Sequence, residues 1–288
     1  MSFKNLACCA LLLLPAAASA GDTAAVLSYG EGAYLEAFTA FEKAYGESVR
    51  KYDLSRTKPD LPEGTRTVAV FGGKAANLRY PGNPDIIYCM APGIFINPPN
   101  GGKAVKISLI PEFKAVFGKI KQMQPGIRRL QIFWMLPDFG KYIDFVKTDA
   151  ARLGIEVAFK QMTSMEELPG LLRLLPGTAD AFWIPPDPML ITRENLMIMK
   201  DFSWGNGIPF YGSTKGMTRD GAAASIGVSF SEMGRTAATA ALALRRGDAL
   251  PETIFPEQAE ITVNSDAAAK CGLKFPRAVL DEAAYSYP

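Results

Sequence analysis

The chain has 288 residues, of which 48% are hydrophobic and 21% charged, and its formal net charge is only +2. These values are typical of a globular protein with a packed core, and they argue against nucleic acid or an anionic membrane as its partner. The sequence contains no histidine, which excludes Ser-His-Asp and Cys-His catalysis and any histidine-ligated metal site. We therefore expect no cofactor and no nucleic-acid partner.

The first 20 residues have the organisation of a secretory signal peptide. Lys4 supplies a basic start, Leu6 to Leu14 form an apolar core, and Ala18-Ser19-Ala20 is a small-residue cleavage site. The apolar stretch is shorter than the roughly 20 residues that cross a bilayer. Cys8-Cys9 lies before and inside the apolar core and not at its end, which argues against lipid attachment. We expect export to the periplasm and a mature chain that begins at Gly21.

Two cysteines, Cys89 and Cys271, remain after the predicted cleavage. In an oxidising compartment they could form a disulfide, or they could stay as buried thiols that pack like small apolar residues. Their positions on separate elements, far apart in the sequence, favour free thiols.

Short runs of β-branched and aromatic residues alternate with helical stretches along the rest of the chain. This alternation predicts parallel sheets with helices on both faces, and Pro or Gly loops at the strand ends where α/β proteins bind small molecules. The predicted strands are residues 24–28, 67–71, 85–88, 130–134, 155–159, 181–184, 225–228 and 261–263, with a further strand near 49–53.

Three helices have clear sequence signals. Aromatic residues at helical spacing between 34 and 45, and apolar residues between 143 and 153, each predict a helix that ends at a glycine. A third helix is predicted to begin with Ser231 as its N-cap and to end before Gly247, after two arginines in its last turn.

The stretch between the predicted strands at 49–53 and 67–71 is irregular. Residues 54–64 include two prolines and a glycine, and this content forbids a regular helix. A doubly wound lobe normally has a helix at this position, so we expect a loop or a single turn in its place.

Glycine loops follow two of the first predicted strands. The segment from Tyr29 to Tyr34 contains Gly30 and opens a helix, so its amide groups could hold an anion such as a carboxylate, or it could be a plain tight turn. The segment Gly72-Gly73-Lys74 resembles part of a phosphate loop but lacks the spacing and the Ser or Thr after the lysine. A turn that opens a helix and contacts a ligand is the preferred interpretation there.

The later strand ends carry carboxylates and aromatic rings. Asp138 and Asp187 could bind a ligand ammonium, and Trp134 or Phe139 could stack on a flat ligand. For Asp187 the alternative is a turn or N-cap carboxylate, although the prolines around it stiffen its presentation and favour a ligand role. Trp134 is better explained as a buried strand residue. Ser213 could add hydrogen bonds to a ligand or lie in a solvated loop.

Two carboxylates in one cleft would also suit a glycoside hydrolase. The sequence does not place Asp138 and Asp187 at a productive distance, and no companion motif or nucleophile motif accompanies them. We therefore do not expect an enzyme.

Four segments near the C-terminus carry a resemblance to a known family. Residues 179–188, 207–211, 221–234 and 261–276 are similar, in their order and spacing, to the substrate-binding proteins of bacterial ABC importers. The closest subgroup in pattern is the one whose better-known members bind aromatic amino acids.

The resemblance implies the type I periplasmic-binding-protein fold, an α/β architecture of two doubly wound parallel-sheet lobes joined by a three-crossing hinge. It puts residues 21–106 plus 230–259 in the N-terminal lobe and residues 107–229 plus 260–288 in the C-terminal lobe. The hinge crossings are then expected near residues 105–108, 228–231 and 260–263, with the ligand between the lobes.

The resemblance also assigns site residues. Asp187 matches the loop aspartate after the central strand of the second lobe, Ser28 and Tyr29 match the first-lobe loop, and Cys89 and Met90 match the last loop before the hinge. The expected ligand-binding residues are Ser28, Tyr29, Gly30, Gly72, Gly73, Cys89, Met90, Trp134, Asp138, Phe139, Asp187 and Ser213.

The implied function is periplasmic solute capture. A monomer would close its hinge around a small molecule, an amino acid or an aromatic metabolite, and deliver it to an ABC permease in the inner membrane. The irregular stretch at 54–64 departs from the family pattern, which leaves open a solute-sensing subunit that acts on a membrane receptor.

Overall fold

The structure is a computed structural model that describes residues 22–91 and 102–288. The predicted signal peptide lies outside the described residues. None of the helices in the described part of the chain combines the length and the apolar character that crossing a membrane requires.

Strands and short helices alternate along the described chain. The strands are β1 (Thr23–Leu27), β2 (Arg50–Asp53), β3 (Thr67–Phe71), β4 (Asp85–Cys89), β5 (Ala104–Ile107), β6 (Arg129–Trp134), β7 (Glu156–Gln161), β8 (Ala181–Trp183), β9 (Phe210–Gly212), β10 (Ala224–Gly227), β11 (Thr253–Ile254), β12 (Glu260–Asn264) and β13 (Tyr285–Tyr287). The α-helices are α1 (Gly32–Tyr45), α2 (Gly73–Ala76), α3 (Phe113–Met123), α4 (Ile143–Ala151), α5 (Leu168–Leu172), α6 (Arg193–Asn206), α7 (Lys215–Arg219), α8 (Phe230–Arg246), α9 (Ser265–Lys270) and α10 (Arg277–Glu282), and two 3-10 helices cover Pro137–Tyr142 and Met165–Glu167.

The strands form two separate sheets. The first has the order β11-β5-β4-β3-β1-β2, and every pairing in it is parallel. The second has the order β13-β12-β10-β9-β8-β6-β7 and is parallel except that β12 runs antiparallel to β10. The predicted α/β architecture with two parallel-strand sheets is confirmed.

Within residues 22–91 and 102–288 the chain passes between the two sheets three times. It crosses after β5, between β10 and α8, and between β11 and β12. The second crossing lies within the predicted 228–231, whereas the first begins only after Ile107, at the end of the predicted 105–108, because residues 104–107 form β5 in the first sheet. The third lies at residues 255–259, before the predicted 260–263, because Glu260 already pairs with Gly227 inside the second sheet.

The two faces of the first sheet are covered differently. Helices α1 and α8 pack on one face, around a core that includes Phe41 and Met233. On the other face the buried side chains are covered by α2 and by Leu54 and Leu61 of the β2–β3 connection. That connection has no helix, as its prolines predict.

The second sheet has helices on both faces. One core contains side chains of α3 and α4, such as Phe117 and Val146, and the other contains side chains of α5, α6 and α7, such as Leu172 and Met217. This lobe is therefore doubly wound, as predicted.

Helix ends agree with the sequence except at the start of α8 and at the end of α4, which ends at Ala151 and not at the predicted Gly154. The glycine after α1, Gly46, and the glycine after α8, Gly247, both adopt left-handed φ of 82° and 84°. The N-cap of α8 is Ser229, whose hydroxyl accepts the Glu232 N–H at 3.1 Å. The predicted cap, Ser231, lies inside the first turn and donates to Glu36 at 2.9 Å.

The two cysteines are free, as the sequence favours. Cys89 lies in the core of the first lobe beneath α8, and Cys271 lies in the second lobe beside the Ser203 hydroxyl, 3.3 Å from its sulfur. Burial raises the pKa of both thiols.

Candidate functional site

The first-lobe loops that follow β1, β3 and β4 pack against one another. The hydroxyl of Ser28 accepts the backbone N–H of Ala75 at 3.1 Å, and Gly72 donates to the Cys89 carbonyl at 2.9 Å. A Cβ on Gly72 would lie 2.6 Å from the Ser28 hydroxyl oxygen, and φ at Gly72 is +96°. Only glycine fits there, and the three loops therefore form one packed unit.

The other first-lobe candidates differ in exposure. Tyr29 is partly exposed, its ring stacks on Tyr34 at 5.9 Å, and the Lys74 ammonium lies 4.3 Å above it. Met90 is buried and has a φ of +55°, in the left-handed region.

Three further first-lobe candidates are held by their neighbours. The Cys89 thiol is directed at the Met233 carbonyl of α8, 3.7 Å away. Gly30 lies against Asp53, because a Cβ there would be 2.2 Å from the Asp53 carboxylate. Gly73 is the first residue of α2.

A small cavity lies where the first crossing meets the second-lobe loops. We call it the Trp134 cavity, and its volume is about 80 Å³. Its lining comes from both sheets and from the crossing itself: Lys106, Ser108, Leu109, Ile110, Trp134, Leu136, Asp138, Phe139, Tyr142, Pro185, Pro186, Asp187 and Thr253.

Asp187 connects the ends of β6 and β8. Its Oδ2 accepts the backbone N–H groups of Met135 at 2.6 Å and Leu136 at 2.8 Å, and its Oδ1 accepts that of Met189 at 2.9 Å. The residue is 2% exposed. This carboxylate therefore holds two strand-end loops together at the edge of the cavity.

Asp138 and Lys106 face the same cavity from different lobes. Asp138 pairs with Lys141 at 3.1 Å. Burial lowers the pKa of the Lys106 ammonium, and the nearby Asp138 carboxylate partly opposes this shift. The charged groups at this cavity thus already have partners or close counter-charges.

The aromatic lining of the Trp134 cavity is packed from behind. Trp134 and Phe139 lie 5.4 Å apart between ring centroids, and Phe139 also contacts Trp183 at 6.0 Å. The indole N–H of Trp134 is buried and has no acceptor among the described residues. Trp134 is accordingly both a core residue and a cavity-lining one.

A second cavity has a volume of about 160 Å³. We call it the Glu260 cavity, and it shares the lining residues Leu109 and Pro186 with the Trp134 cavity. Its lining is rich in hydroxyl groups and includes residues of both lobes: Glu36, Leu109, Pro186, Ser213, Thr214, Lys215, Ser225, Gly227, Val228, Ser229, Phe230, Met233, Glu260, Thr262 and Tyr285.

Strand register builds the floor of the Glu260 cavity. Glu260 pairs with Gly227, and Thr262 pairs with Ser225, so these positions share one face of the sheet. Burial and the neighbouring Glu36 raise the pKa of the Glu260 carboxyl, whereas Lys215 acts in the opposite direction. The cavity thus has an acidic side.

The structure brings part of the predicted site together. Trp134, Asp138, Phe139 and Asp187 line one cavity, and Ser213 lines the other. The first-lobe candidates Ser28, Tyr29, Gly30, Gly72, Gly73, Cys89 and Met90 line neither of these two cavities.

The sequence missed several lining residues. Lys106 and Glu260 lie inside the predicted first and third crossings, so their positions carried a usable signal. Glu36 and Thr253 carried none, because helix α1 and strand β11 reach the cleft only through the tertiary fold. The described residues contain no group of three or more side chains suited to hold a metal ion.

Comparison with known proteins identifies the family. The family model described as ABC transporter substrate binding protein matches residues 115–286, more than half of the chain. A search of curated protein sequences found no match.

Solved structures share the fold at low sequence identity. A ligand-free, open substrate-binding protein with adhesive properties from Clostridium difficile has a TM-score of 0.62 and 15% identity, over 92% of this chain and 98% of its own. An ABC domain from Streptococcus pneumonia in complex with L-Trp and a conserved domain protein from Vibrio cholerae each have a TM-score of 0.58 and 14% identity, with the same coverage. The members of the matched family are substrate-binding proteins, which are not enzymes. Because the match extends over residues 115–286, this chain belongs to the ABC transporter substrate-binding protein family.

Proposed function

We propose that this protein is the periplasmic solute-binding subunit of an ABC importer. It captures an amino acid or a small aromatic metabolite between its lobes and delivers it to a permease in the inner membrane. The lobes, residues 21–106 plus 230–259 and 107–229 plus 260–288, close around the ligand as a hinge, and the protein acts as a monomer.

The observation that carries the proposal is the position of the two cavities. They share the lining residues Leu109 and Pro186, and their walls combine strand-end loops of the second lobe with Glu36 and Lys106 of the first. Each is smaller than the roughly 300–1,000 Å³ of a complete small-molecule site. We infer that they are two parts of one cleft that closes when a ligand contacts both lobes.

The chemistry of the cleft supports a small, partly apolar solute. Trp134, Phe139 and the two prolines Pro185 and Pro186 offer apolar and aromatic surface, which suits a flat ligand. The relative from Streptococcus pneumonia is described as a complex with L-Trp, and this supports an aromatic amino acid as the first compound to test.

The first-lobe candidates enter the proposal through closure. Tyr29 and the glycine loops at Gly30, Gly72 and Gly73 follow the carboxyl ends of their strands, the edge at which such sheets bind ligands. We propose that these loops and Met90 meet the ligand in the closed form. Ser28 and Cys89 would support them from below.

A thermal-shift screen tests the proposal. Protein expressed from the full sequence and purified from the periplasmic fraction is screened against amino acids, aromatic acids, nucleobases and sugars. A compound at about 100 times its Kd stabilises the fold by about 2.7 kcal/mol, a readable shift in Tm. Failure of every class to shift the Tm of a well-folded sample would refute solute capture.

A further inference from the structure

The Glu260 cavity contains a carboxylate whose neighbouring cation, Lys215, does not form an ion pair with it. Glu260 is half-buried at the start of β12, and no ion pair joins it to a cation of the described residues. Desolvation of a carboxylate is costly unless a cation or several donors compensate it. The register partner of Glu260 is Gly227. Because glycine has no side chain, nothing on the neighbouring strand covers the Glu260 carboxylate at this position.

The charged groups around this carboxylate do not balance it. Glu36 lines the cavity from the first lobe, and its carboxylate accepts only the exposed hydroxyl of Ser231 at 2.9 Å. The Lys215 ammonium lies 4.4 Å above the ring of Tyr285. Two carboxylates and one ammonium leave one negative charge at the cavity, which a single cationic group would neutralise.

Buried hydroxyls in the same cavity give an independent indication of a ligand. Thr262 is 2% exposed, and its hydroxyl has no hydrogen-bond partner among the described residues. Ser213 is 4% exposed, and its hydroxyl reaches only the Met217 sulfur at 3.7 Å, a weak acceptor. Both residues line the cavity, so their hydroxyls are within reach of a polar ligand bound there.

We propose that Glu260 binds a protonated amine of the ligand, with Glu36 completing the acidic side of the cavity when the lobes close. The proposal rests on solute capture in this cleft and names the ligand class, a small solute that carries an ammonium group. It assigns amine recognition to Glu260 and not to Asp187. Both oxygens of Asp187 already accept backbone N–H groups.

Matched ligand pairs test this assignment without any mutation. L-tryptophan is compared with indole-3-propionate, and L-phenylalanine with 3-phenylpropionate, by thermal shift and calorimetry on the wild-type protein. Each pair differs by the amine alone. The amine-bearing member is expected to bind roughly tenfold to a hundredfold more tightly, the usual value of a charge-assisted hydrogen bond.

The variant Glu260→Gln tests the residue. It is expected to lose that tenfold to hundredfold preference for the amine while retaining the weak binding of the des-amino member. Glu257→Gln serves as the matched control, because Glu257 is an exposed carboxylate on the third crossing, three positions away. It is expected to keep the wild-type affinities.

The outcomes separate this inference from solute capture itself. Equal binding of both members of a pair, an unchanged preference in Glu260→Gln, or a neutral sugar as the only tight ligand would overturn the role of Glu260 and leave solute capture intact. Absence of binding by every compound, in these pairs and in the wider screen, would overturn both.

Discussion

The Oδ2 atom of Asp187 lies 2.6 Å from the backbone nitrogen of Met135, so one carboxylate joins the loops that follow β8 and β6. The same carboxylate also accepts N–H groups from Leu136 and Met189. The sequence predicts a ligand role for this aspartate, but its hydrogen bonds make it first a structural tie between two strand ends.

Asp187→Ala is expected to lower the free energy of unfolding by about 2–4 kcal/mol, because it leaves buried N–H groups without acceptors. Asp187→Asn is expected to cost less, since its amide oxygen can still accept from one side. Urea unfolding with an unchanged m-value measures both. Wild-type stability in Asp187→Ala would instead indicate that the three backbone N–H groups find other acceptors.

Close packing of α1 on α8 depends on Gly234. A Cβ at this position would lie 2.0 Å from the carbonyl oxygen of Ala37, and backbone cannot move away as a side chain can. Gly234→Ala is expected to destabilise the protein by about 1–3 kcal/mol through overpacking. The matched control is Gly118→Ala inside α3, where a new Cβ meets no atom within 4 Å. That variant is expected to gain about 0.5–1 kcal/mol. Similar stability of the two variants, compared by thermal unfolding, would contradict the close contact.

The two serines at the start of α8 have different expected effects. Ser229→Ala removes the N-cap and is expected to cost about 1 kcal/mol. Ser231→Ala removes only an exposed hydrogen bond to Glu36 and is expected to stay within about 0.5 kcal/mol of wild type. Chemical denaturation of both variants measures the difference. A larger loss of unfolding free energy in Ser231→Ala than in Ser229→Ala would indicate that Ser231 is the N-cap, as the sequence predicts.

Glu260 is expected to make stability fall as pH rises. Burial raises the pKa of this carboxyl above its usual 4.5, so the folded state binds its proton more tightly than the unfolded state. The stabilisation that comes from this tighter proton binding is fully present at pH values below the pKa of Glu260 in the unfolded state. It is lost as pH rises through the pKa of Glu260 in the folded state. Glu260→Gln should therefore have a higher Tm than wild type at pH 7 and the same Tm near pH 4. A constant difference at all pH values, or the same pH profile in Glu257→Gln, would contradict this.

Local signals in the sequence predicted much of the fold. Strand β3 was expected at its observed bounds, the glycines after α1 and α8 end those helices, and the prolines between β2 and β3 exclude a helix there. Strands β5, β9, β11 and β13 were absent from the predicted set. They have two to four residues, although β8, which has three, was predicted.

The sequence by itself determined the alternation of elements, the two-lobed class and the strand-end loops, because hydrophobic period and Pro or Gly punctuation act over neighbouring residues. From the position of Asp187 in a strand-end loop, it also predicted that this carboxylate binds a ligand. Only the tertiary structure decided that three backbone N–H groups occupy Asp187 and that Glu260, Glu36 and Lys215 line one cavity. These relationships join residues that are distant in the chain, and hydrogen bonding and desolvation depend on which groups the fold brings together.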